Sequence, residues 1–586
     1  MVMRAFLFGL VLAVVRVSGA DLPPAIPQAV RQLAKPSGLS RTVIRPTRVV
    51  WTSGAGVQHA EGLLGEKAGQ AVLQEPVPPA ELRSTGGEVA GVLLDFGVEI
   101  QGYVEVITPM MPEQAKLRRV RVRFGESVSE AMSEVGGDQN AGNDHAVRDQ
   151  VVTLPWLGKK TIGPSGFRFV RIDNVDPELA VQLSDVHAVL EIRDIPYLGS
   201  FRCNDERLNR IWDVGAYTVH LNMQEYLWDG IKRDRLVWLG DMHPEVATIN
   251  AVFGFNEVVP RSLDLIRDVT PPTQWMNGIS SYSMWWVLLQ EDWWMHHGNR
   301  DYLEAQRDYL VELLRHLSGF VGEDGREKLD GMRFLDWPTY ENADAVHEGL
   351  QAMLSLAMQS GARLMRELGE GEVAAKCLGV VETLARHEPK VSGRKSPAAL
   401  LALAGLREAG EVSGLVLQAG GPKDLSTFYG YYVLEAMAQA GDYAEAMDFI
   451  RQYWGGMLDL GATTFWEGFD LSWAEGVGRI DELLQEGEKD VHGDYGEHCY
   501  VGFRHSLCHG WASGPTPWLS RHVLGVRVLE PGCRVVEVRP NLGTLKWVEG
   551  TYPTPFGVIR VRHERGDDGV LRSVVKAPEE VRVIRP

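Results

Sequence analysis

The chain has 586 residues, too many for one compact core, and at about 150 residues per domain it should hold two to four domains. Apolar residues make up 45%, enough for globular domains with proper cores. Its 59 Lys and Arg against 78 Asp and Glu give a formal charge of −19, which argues against nucleic-acid backbones and anionic membrane surfaces and suits a neutral or cationic partner, an uncharged sugar among them.

The N-terminus reads as a secretory leader over residues 1–20. Arg4 supplies a basic start, residues 5–15 an apolar run too short to cross a bilayer, and Ser18, Gly19 and Ala20 a small-residue cleavage site. Arg16 interrupts the pattern, and a buried N-terminal helix is the alternative. The expected destination is secreted or periplasmic. No Cys lies near the cleavage site and no later stretch is long and apolar enough to span a membrane, so no membrane anchor is expected.

Residues 40–200 read as a β-sandwich. Residues 117–124 alternate apolar and basic side chains as a half-buried strand does. Residues 92–107 carry two strand-like runs around Gly97 and Gly102, and residues 167–172 and 181–192 continue the pattern, punctuated by turns such as Gly136-Gly137-Asp138. Near residue 204 the period changes. Leu208, Ile211, Trp212 and Gly215 open a helical face, and residues 302–317, 350–364, 431–440 and 443–454 repeat apolar residues at three- and four-residue steps. Twelve helices over residues 205–520 need about 26 residues each with their connections, a reasonable length. That is compatible with six helical hairpins in a toroid, although counting alone also admits another helical array. Residues 522–586 return to β alternation and read as a small C-terminal β domain.

The densest polar segment is residues 228–245, WDGIKRDRLVWLGDMHPE. If helical, it puts Asp234, Trp238 and Asp241 on one face. Pro244 suits the first turn of a helix, so the part before it can instead be a loop ending at a helix start. Either way Asp229, Asp234, Asp241 and an indole can face one pocket, where crowding and an apolar wall raise a carboxyl's pKa as a general acid requires. The plainer reading is a solvated charge run with Asp–Arg pairs. A second segment, residues 461–470 (GATTFWEGFD), sets Glu467 among aromatic residues, where it could activate water or simply sit on a surface. Nine of the 17 Trp lie between residues 212 and 337, including Trp285 and Trp286. Indole faces stack on sugar C–H faces, though for most of the nine a place in a helical core is the better reading. These two segments hold no His pair at metal-ligand spacing and none of the five Cys forms a C-x-x-C pair, so neither metal nor cofactor is expected. Cys499 and Cys508 could pair in an oxidising compartment, but an odd count favours five unpaired thiols.

At this point the chain resembles the bacterial α-L-rhamnosidases of glycoside hydrolase family seventy-eight. Asp95-Phe96-Gly97 followed by Gly102, Phe124-Gly125-Glu126 and the run at 166–170 resemble its sandwich strands. Gly199-Ser200-Phe201 with Leu208-Asn209-Arg210-Ile211-Trp212 resembles the entry to its helical barrel. DGIKRDRLVWLGD resembles its acidic motif, GATTFWE the motif of its second carboxylate, and residues 509–518 and Arg539-Pro540 later segments. The resemblance implies an (α/α)6 six-hairpin helical barrel flanked by an N-terminal β-sandwich and a small C-terminal β domain. It implies a secreted inverting exo-glycosidase acting on terminal α-L-rhamnosyl linkages, with a rhamnose-containing oligosaccharide, polysaccharide or glycoside as partner. Position by position it implies Asp234 as general acid and Glu467 as general base. Asp229, Arg233, Trp238, Asp241, Asp336, Trp337 and His509 would hold the sugar, and Trp285 and Trp286 would supply aromatic walls. Many members carry a Glu one residue further along a longer motif; Arg235 stands there here, and Gly230-Ile231 replaces the usual Cys-Pro or Gly-Pro. Two alternatives are a helical-barrel hydrolase of different sugar specificity and a non-catalytic carbohydrate-binding relative.

Overall fold

The computed structural model describes residues 25–28, 31, 37–113, 115–498 and 500–585. The expected leader and Cys499, one half of the candidate thiol pair, lie outside the described residues.

The N-terminal β region contains β1 (Leu39–Ile44), β2 (Arg48–Thr52), β3 (Val57–Gln58), β4 (Ala80–Leu82), β5 (Gly91–Thr108), β6 (Arg118–Gly125), β7 (Asp149–Leu154), β8 (Gly158–Asn174), β9 (Val181–Leu183) and β10 (Asp185–Arg193). Seven of these form an antiparallel sheet of order β1-β10-β5-β8-β6-β7, with β2 also on β5; β3, β4 and β9 form a second sheet of three. The two apolar runs around Gly97 and Gly102 are one 18-residue strand whose register against β8 shifts between Asp95 and Ile100 and again between Gly102 and Val104. The physical reason lies at Gly102: its φ of +155° and the closeness of the Val189 carbonyl leave no room for a side chain, so the strand bulges there and continues. Phe96, Phe124 and Phe167 fill the sheet's core, and Ile231 and Cys508, from far along the chain, are buried in the same core.

After β11 (Ser200–Cys203), Asp205 caps α1 (Glu206–Asn222) by accepting the N–H groups of Arg207 and Leu208. Then come α2 (Met242–Val252), α3 (Val258–Val269), α4 (Ser280–His297), α5 (Arg300–Leu317), α6 (Ala343–Glu367), α7 (Gly371–Leu384), α8 (Lys395–Leu403), α9 (Ala409–Val412), α10 (Gly430–Ala440), α11 (Tyr443–Asp459) and α12 (Pro515–Trp518). The even-numbered helices touch in succession, α2 on α4, α4 on α6, α6 on α8, α8 on α10 and α10 on α12, and α12 returns to α2. Odd-numbered helices lie against this circuit: α1 on α2, α5 on α4 and α6, α7 on α6, α9 on α8 and α10, and α11 on α10 and back to α1. At Gly215 a side chain would collide with Thr516, so the missing Cβ is what lets α1 approach α12.

The chain ends in β12 (Val526–Glu530), β13 (Val535–Val538), β14 (Trp547–Thr554), β15 (Gly557–Arg565), β16 (Leu571–Lys576) and β17 (Arg582–Ile584). They form a four-stranded sheet, β11-β14-β15-β16, and a three-stranded one, β12-β13-β17, so the strand before the helices pairs with strands after them. Their apolar residues join the helical core. Among the described residues no helix is long and apolar enough to cross a membrane.

Candidate active site

The acidic motif is a loop that ends at a helix start, not a helical face. Residues 228–240 are irregular, Asp241 stands at the N-cap of α2, and Pro244 lies in that helix's first turn. The β core grips the loop from below through Ile231, and Arg235, in the left-handed region at φ +64°, lays its guanidinium 4.5 Å over the ring of Trp228. Lys232 is buried and donates to the carbonyls of Phe503 (2.9 Å) and His505 (2.6 Å) while pairing with Glu126 at 3.0 Å and Glu130 at 3.2 Å. Glu126, Glu130 and His492 are spaced as metal ligands can be, but the Lys232 ammonium lies among them.

Two separated stretches, residues 465–467 and 506–510, meet at this loop. Gly510 N–H donates to the Asp229 carbonyl at 2.8 Å, His509 N–H to the Phe465 carbonyl at 2.9 Å, and Glu467 N–H to the Ser506 carbonyl at 2.9 Å. The result is a cavity of about 320 Å³ whose walls include Asp229, Arg233, Asp234, Trp238, Asp241, Trp337, Glu467 and His509. Ile279, Met332 and Phe334 add an apolar side, and Asn277, Tyr282, Tyr500, Arg504 and Trp511 complete it. Trp337, Glu467, Tyr500 and Trp511 are also walls of a neighbouring cavity of about 520 Å³, to which Asp336 belongs.

Arg233 stands between the two principal carboxylates. Its Nη2 donates to Glu467 Oε1 at 2.7 Å and its Nη1 lies 3.8 Å from Asp234 Oδ1. The other Glu467 oxygen accepts from Ser506 N–H at 3.1 Å, while the Glu467 carbonyl accepts from Trp511 Nε1 at 2.9 Å. Glu467 is thus held at both its side chain and its backbone. Asp234 is more open, with 23% of its side chain exposed. The burial expected for it falls on its neighbours instead. Asp229 is buried, and its two oxygens accept the N–H groups of Asp234 (2.8 Å) and Leu236 (2.9 Å), which fixes the loop's shape. Burial, with Asp241 and Asp234 nearby, pushes the Asp229 carboxyl up to about 7 against the opposing pull of His509.

Asp241 Oδ1 meets His509 Nε2 at 3.0 Å, and Oδ2 accepts from Tyr282 Oη at 3.2 Å. Burial works against charge on His509, but Glu467, Asp241 and Asp229 outweigh it and lift the imidazole to about 9. The deep wall therefore favours a protonated His509 imidazole beside Asp241, whose own carboxyl is raised by burial against the pull of His509. Glu245, one turn further along α2, is wholly buried and is not among the cavity's walls; burial, then Asp241 and Asp229, hold its carboxyl well above the usual range.

Asp336 is occupied by three hydroxyls, one from its own loop and two from distant segments: its carboxylate accepts from Thr339 Oγ1 (2.5 Å), Ser396 Oγ (2.7 Å) and Ser426 Oγ (3.0 Å). Trp337, the next residue, turns its ring to both cavities, edge-on to Phe334 and stacked with His498. The two tryptophans expected as aromatic walls lie elsewhere. Trp285 is 1% exposed, packed between His243 and Tyr432, and Trp286 is 0% exposed with its Nε1 donating to the Leu263 carbonyl. They fill the space between helices because α4 turns that face inward to its neighbours; Tyr282, one turn earlier on α4, is the residue that reaches the cavity. Tyr282, Tyr500 and Trp511 were not legible as site residues, although Tyr500 and Trp511 flank the segment of His509 closely in sequence.

Residues 196–388 match the bacterial α-L-rhamnosidase six-hairpin glycosidase domain, and residues 525–584 the bacterial α-L-rhamnosidase C-terminal domain. An α-L-rhamnosidase of Alteromonas sp. (strain LOR) is 24% identical over 535 residues, covering 82% of this chain and 54% of that protein. The chain therefore spans about half the length of that relative. Among solved structures, a family 78 rhamnosidase of Bacillus sp. GL1 aligns with a TM-score of 0.70 at 22% identity, over 87% of this chain and 54% of its own. A rhamnosidase from Klebsiella oxytoca with rhamnose bound aligns with a TM-score of 0.64 at 20% identity, over 82% of this chain and 96% of its own. These structures share the combination of a helical domain with β domains. The helical segment at 196–388 and the C-terminal segment at 525–584 are thus each similar to the corresponding domain of the bacterial α-L-rhamnosidases.

Proposed function

We propose that the protein is an inverting exo-glycosidase that removes terminal α-L-rhamnose from a rhamnose-containing glycoside, oligosaccharide or polysaccharide. The observation that carries this reading is convergence: Asp234, Trp337, Glu467 and His509, from four separate stretches of chain, border one cavity. Asp234 is the general acid that protonates the leaving oxygen, and Glu467 the base that takes a proton from the attacking water. An inverting pair stands about 6.5–9.5 Å apart to leave room for that water. A single guanidinium in contact with both carboxylates limits their separation to a span of that order. Asp241, His509 and Arg233 offer charged partners to ring hydroxyls, and Ile279, Met332 and Phe334 an apolar contact for the methyl of a 6-deoxy sugar.

The same reading takes the closed circuit of even-numbered helices, with the odd ones outside it, as an (α/α)6 barrel, and the two N-terminal sheets as a sandwich against its rim. The leader-like residues 1–20 support export to a secreted or periplasmic location. Scaffold alone does not fix the sugar. A panel of aryl glycosides differing only in the sugar tests the reading: α-L-rhamnoside should be turned over well above α-L-fucoside, α-L-arabinoside and α-D-mannoside. Preferential turnover of another sugar would move the assignment to a different hydrolase on this scaffold. Binding of rhamnose without turnover of any glycoside would make the protein a binding relative.

A further inference from the structure

The loop between β6 and β7 brings a side chain of the β region to the open edge of the cavity. Asn143 shapes that loop, its Oδ1 accepting the N–H groups of Arg148 (2.8 Å) and Asp149 (2.9 Å). Asp144 forms an ion pair with Arg504, itself part of the cavity wall. Between them His145 is placed with Nε2 3.4 Å from Asp234 Oδ1 and 3.3 Å from Asp144 Oδ2. The imidazole is 27% exposed, so part of the ring is open to solvent. Among the described residues the other ion-pair partner of Asp234 is Arg233, at 3.8 Å, and that of Asp144 is Arg504, while the buried Asp229 carboxyl lies close behind Asp234. Asp234 thus has a cation on its inner side and an imidazole on its outer side.

We propose that His145 is a positioning and relay residue that returns a proton to Asp234 after each cleavage. This rests on the acid role of Asp234 proposed above. Cleavage moves a proton from the Asp234 carboxyl to the leaving oxygen, while Glu467 takes one from the water that adds to the anomeric carbon. The enzyme is left with a carboxylate at Asp234 and a carboxylic acid at Glu467, so one proton must reach the first and one must leave the second. The His145 imidazolium gives its Nε2 proton to Asp234 Oδ1, breaking N–H and forming O–H, and the neutral ring then takes a proton from solvent. The two ring nitrogens of an imidazole let it give a proton on one side and take one up on the other. Asp144, held by Arg504, keeps the ring in register with Asp234.

The test uses the full chain with His145→Ala and His145→Gln beside wild type and Asp234→Asn, on a simple alkyl α-L-rhamnoside and on an activated aryl α-L-rhamnoside. Reprotonation follows bond cleavage, so it limits kcat without entering kcat/KM. On the alkyl substrate both His145 variants should lose about tenfold or more in kcat, within the range of general acid–base effects, with kcat/KM changed by much less. Added imidazole should restore kcat of His145→Ala in a saturable way. The loss should be far smaller on the aryl substrate, whose departure needs little protonation, and matching melting curves would show that the variants fold. An unchanged kcat overturns the proposal, as does an equal fall in kcat and kcat/KM that imidazole does not restore. If wild type cleaves no rhamnoside, or Asp234→Asn keeps full activity on the alkyl substrate, the parent reading fails first and this one with it.

Discussion

The cavity has a deep wall and an open edge, and the two use the same residue types differently. On the deep wall Asp229 and Asp241 are buried, and their oxygens are taken up by loop N–H groups, by His509 and by Tyr282. At the open edge Asp234 keeps 23% of its side chain exposed and makes only looser contacts, at 3.4 and 3.8 Å, to His145 and Arg233. Buried carboxylates with satisfied oxygens set shape and charge; a partly exposed one with free capacity can exchange a proton. Glu467 lies between the two kinds, buried like the first and close to Arg233 like the second.

That contrast is broken most sharply at Glu467. Glu467→Gln keeps the shape of the side chain but removes the base, and it should cost roughly 10³-fold or more in kcat on both alkyl and aryl rhamnosides, because both need the activated water. Retention of more than a tenth of wild-type activity on either would remove Glu467 from the base role. Asp234→Asn should be the next largest effect, and a selective one. It should lose about 10²-fold or more on the alkyl substrate and far less on the aryl one. The first product from an α-linked substrate, read by NMR before mutarotation, should be β-L-rhamnose; an α product would mean retention and would reassign both carboxylates. Glu245 then offers no simple replacement for the acid, because it lies outside the cavity walls.

Much of this arrangement was legible in the chain, and what was not has identifiable causes. The apolar period of residues 302–317 and 431–440 appears as helices Arg300–Leu317 and Gly430–Ala440, because amphipathic spacing directly reports which face is buried. The strand read at 117–124 is Arg118–Gly125. The 92–107 segment was harder: a bulge at Gly102 mimics a break, and only the neighbouring strand's carbonyl explains why a glycine stands there. The motif at 228–245 was compatible with loop or helix, and the loop won because Ile231 and Lys232 are drawn into the β region. The position of Asp234 at the open edge and the contact from His145 depend on a loop some 90 residues upstream, which no local pattern records.

The deep wall also makes a prediction in pH. His509 is lifted from an ordinary value of 6.5 to about 9 by Glu467, Asp241 and Asp229, which prevail over its burial. Its folded value exceeds its unfolded one, so the folded state holds the proton more tightly. The resulting stability is fully present below about pH 6.5 and is lost as pH rises through about 9. The wild-type melting temperature should therefore fall between pH 6.5 and 9 by a few degrees more than that of His509→Gln, which has no such proton to lose. Parallel melting curves for the two proteins across that window would show that His509 is not protonated as described. Asp229 runs the same way at lower pH: its raised value costs stability as pH climbs from about 4 to about 7, and Asp229→Asn should flatten that slope if the loop survives the change.

The smallest expected effect on activity belongs to Trp285, and it separates core from site. The sequence resemblance made this residue an aromatic wall for the sugar, whereas the fold buries it between His243 and Tyr432, among interhelical contacts. Trp285→Phe removes about a ring's worth of packing from a site that cannot collapse freely, and a loss of roughly 1–3 kcal/mol is usual for such a change. The melting temperature should fall while KM and kcat for the aryl rhamnoside stay within about twofold of wild type. Trp337→Phe gives the counterpart, because its ring faces both cavities and it should raise KM with a smaller change in melting temperature. If Trp285→Phe instead raised KM tenfold at unchanged stability, the indole would be touching sugar, and α4 would have to turn that face toward the cavity now reached by Tyr282.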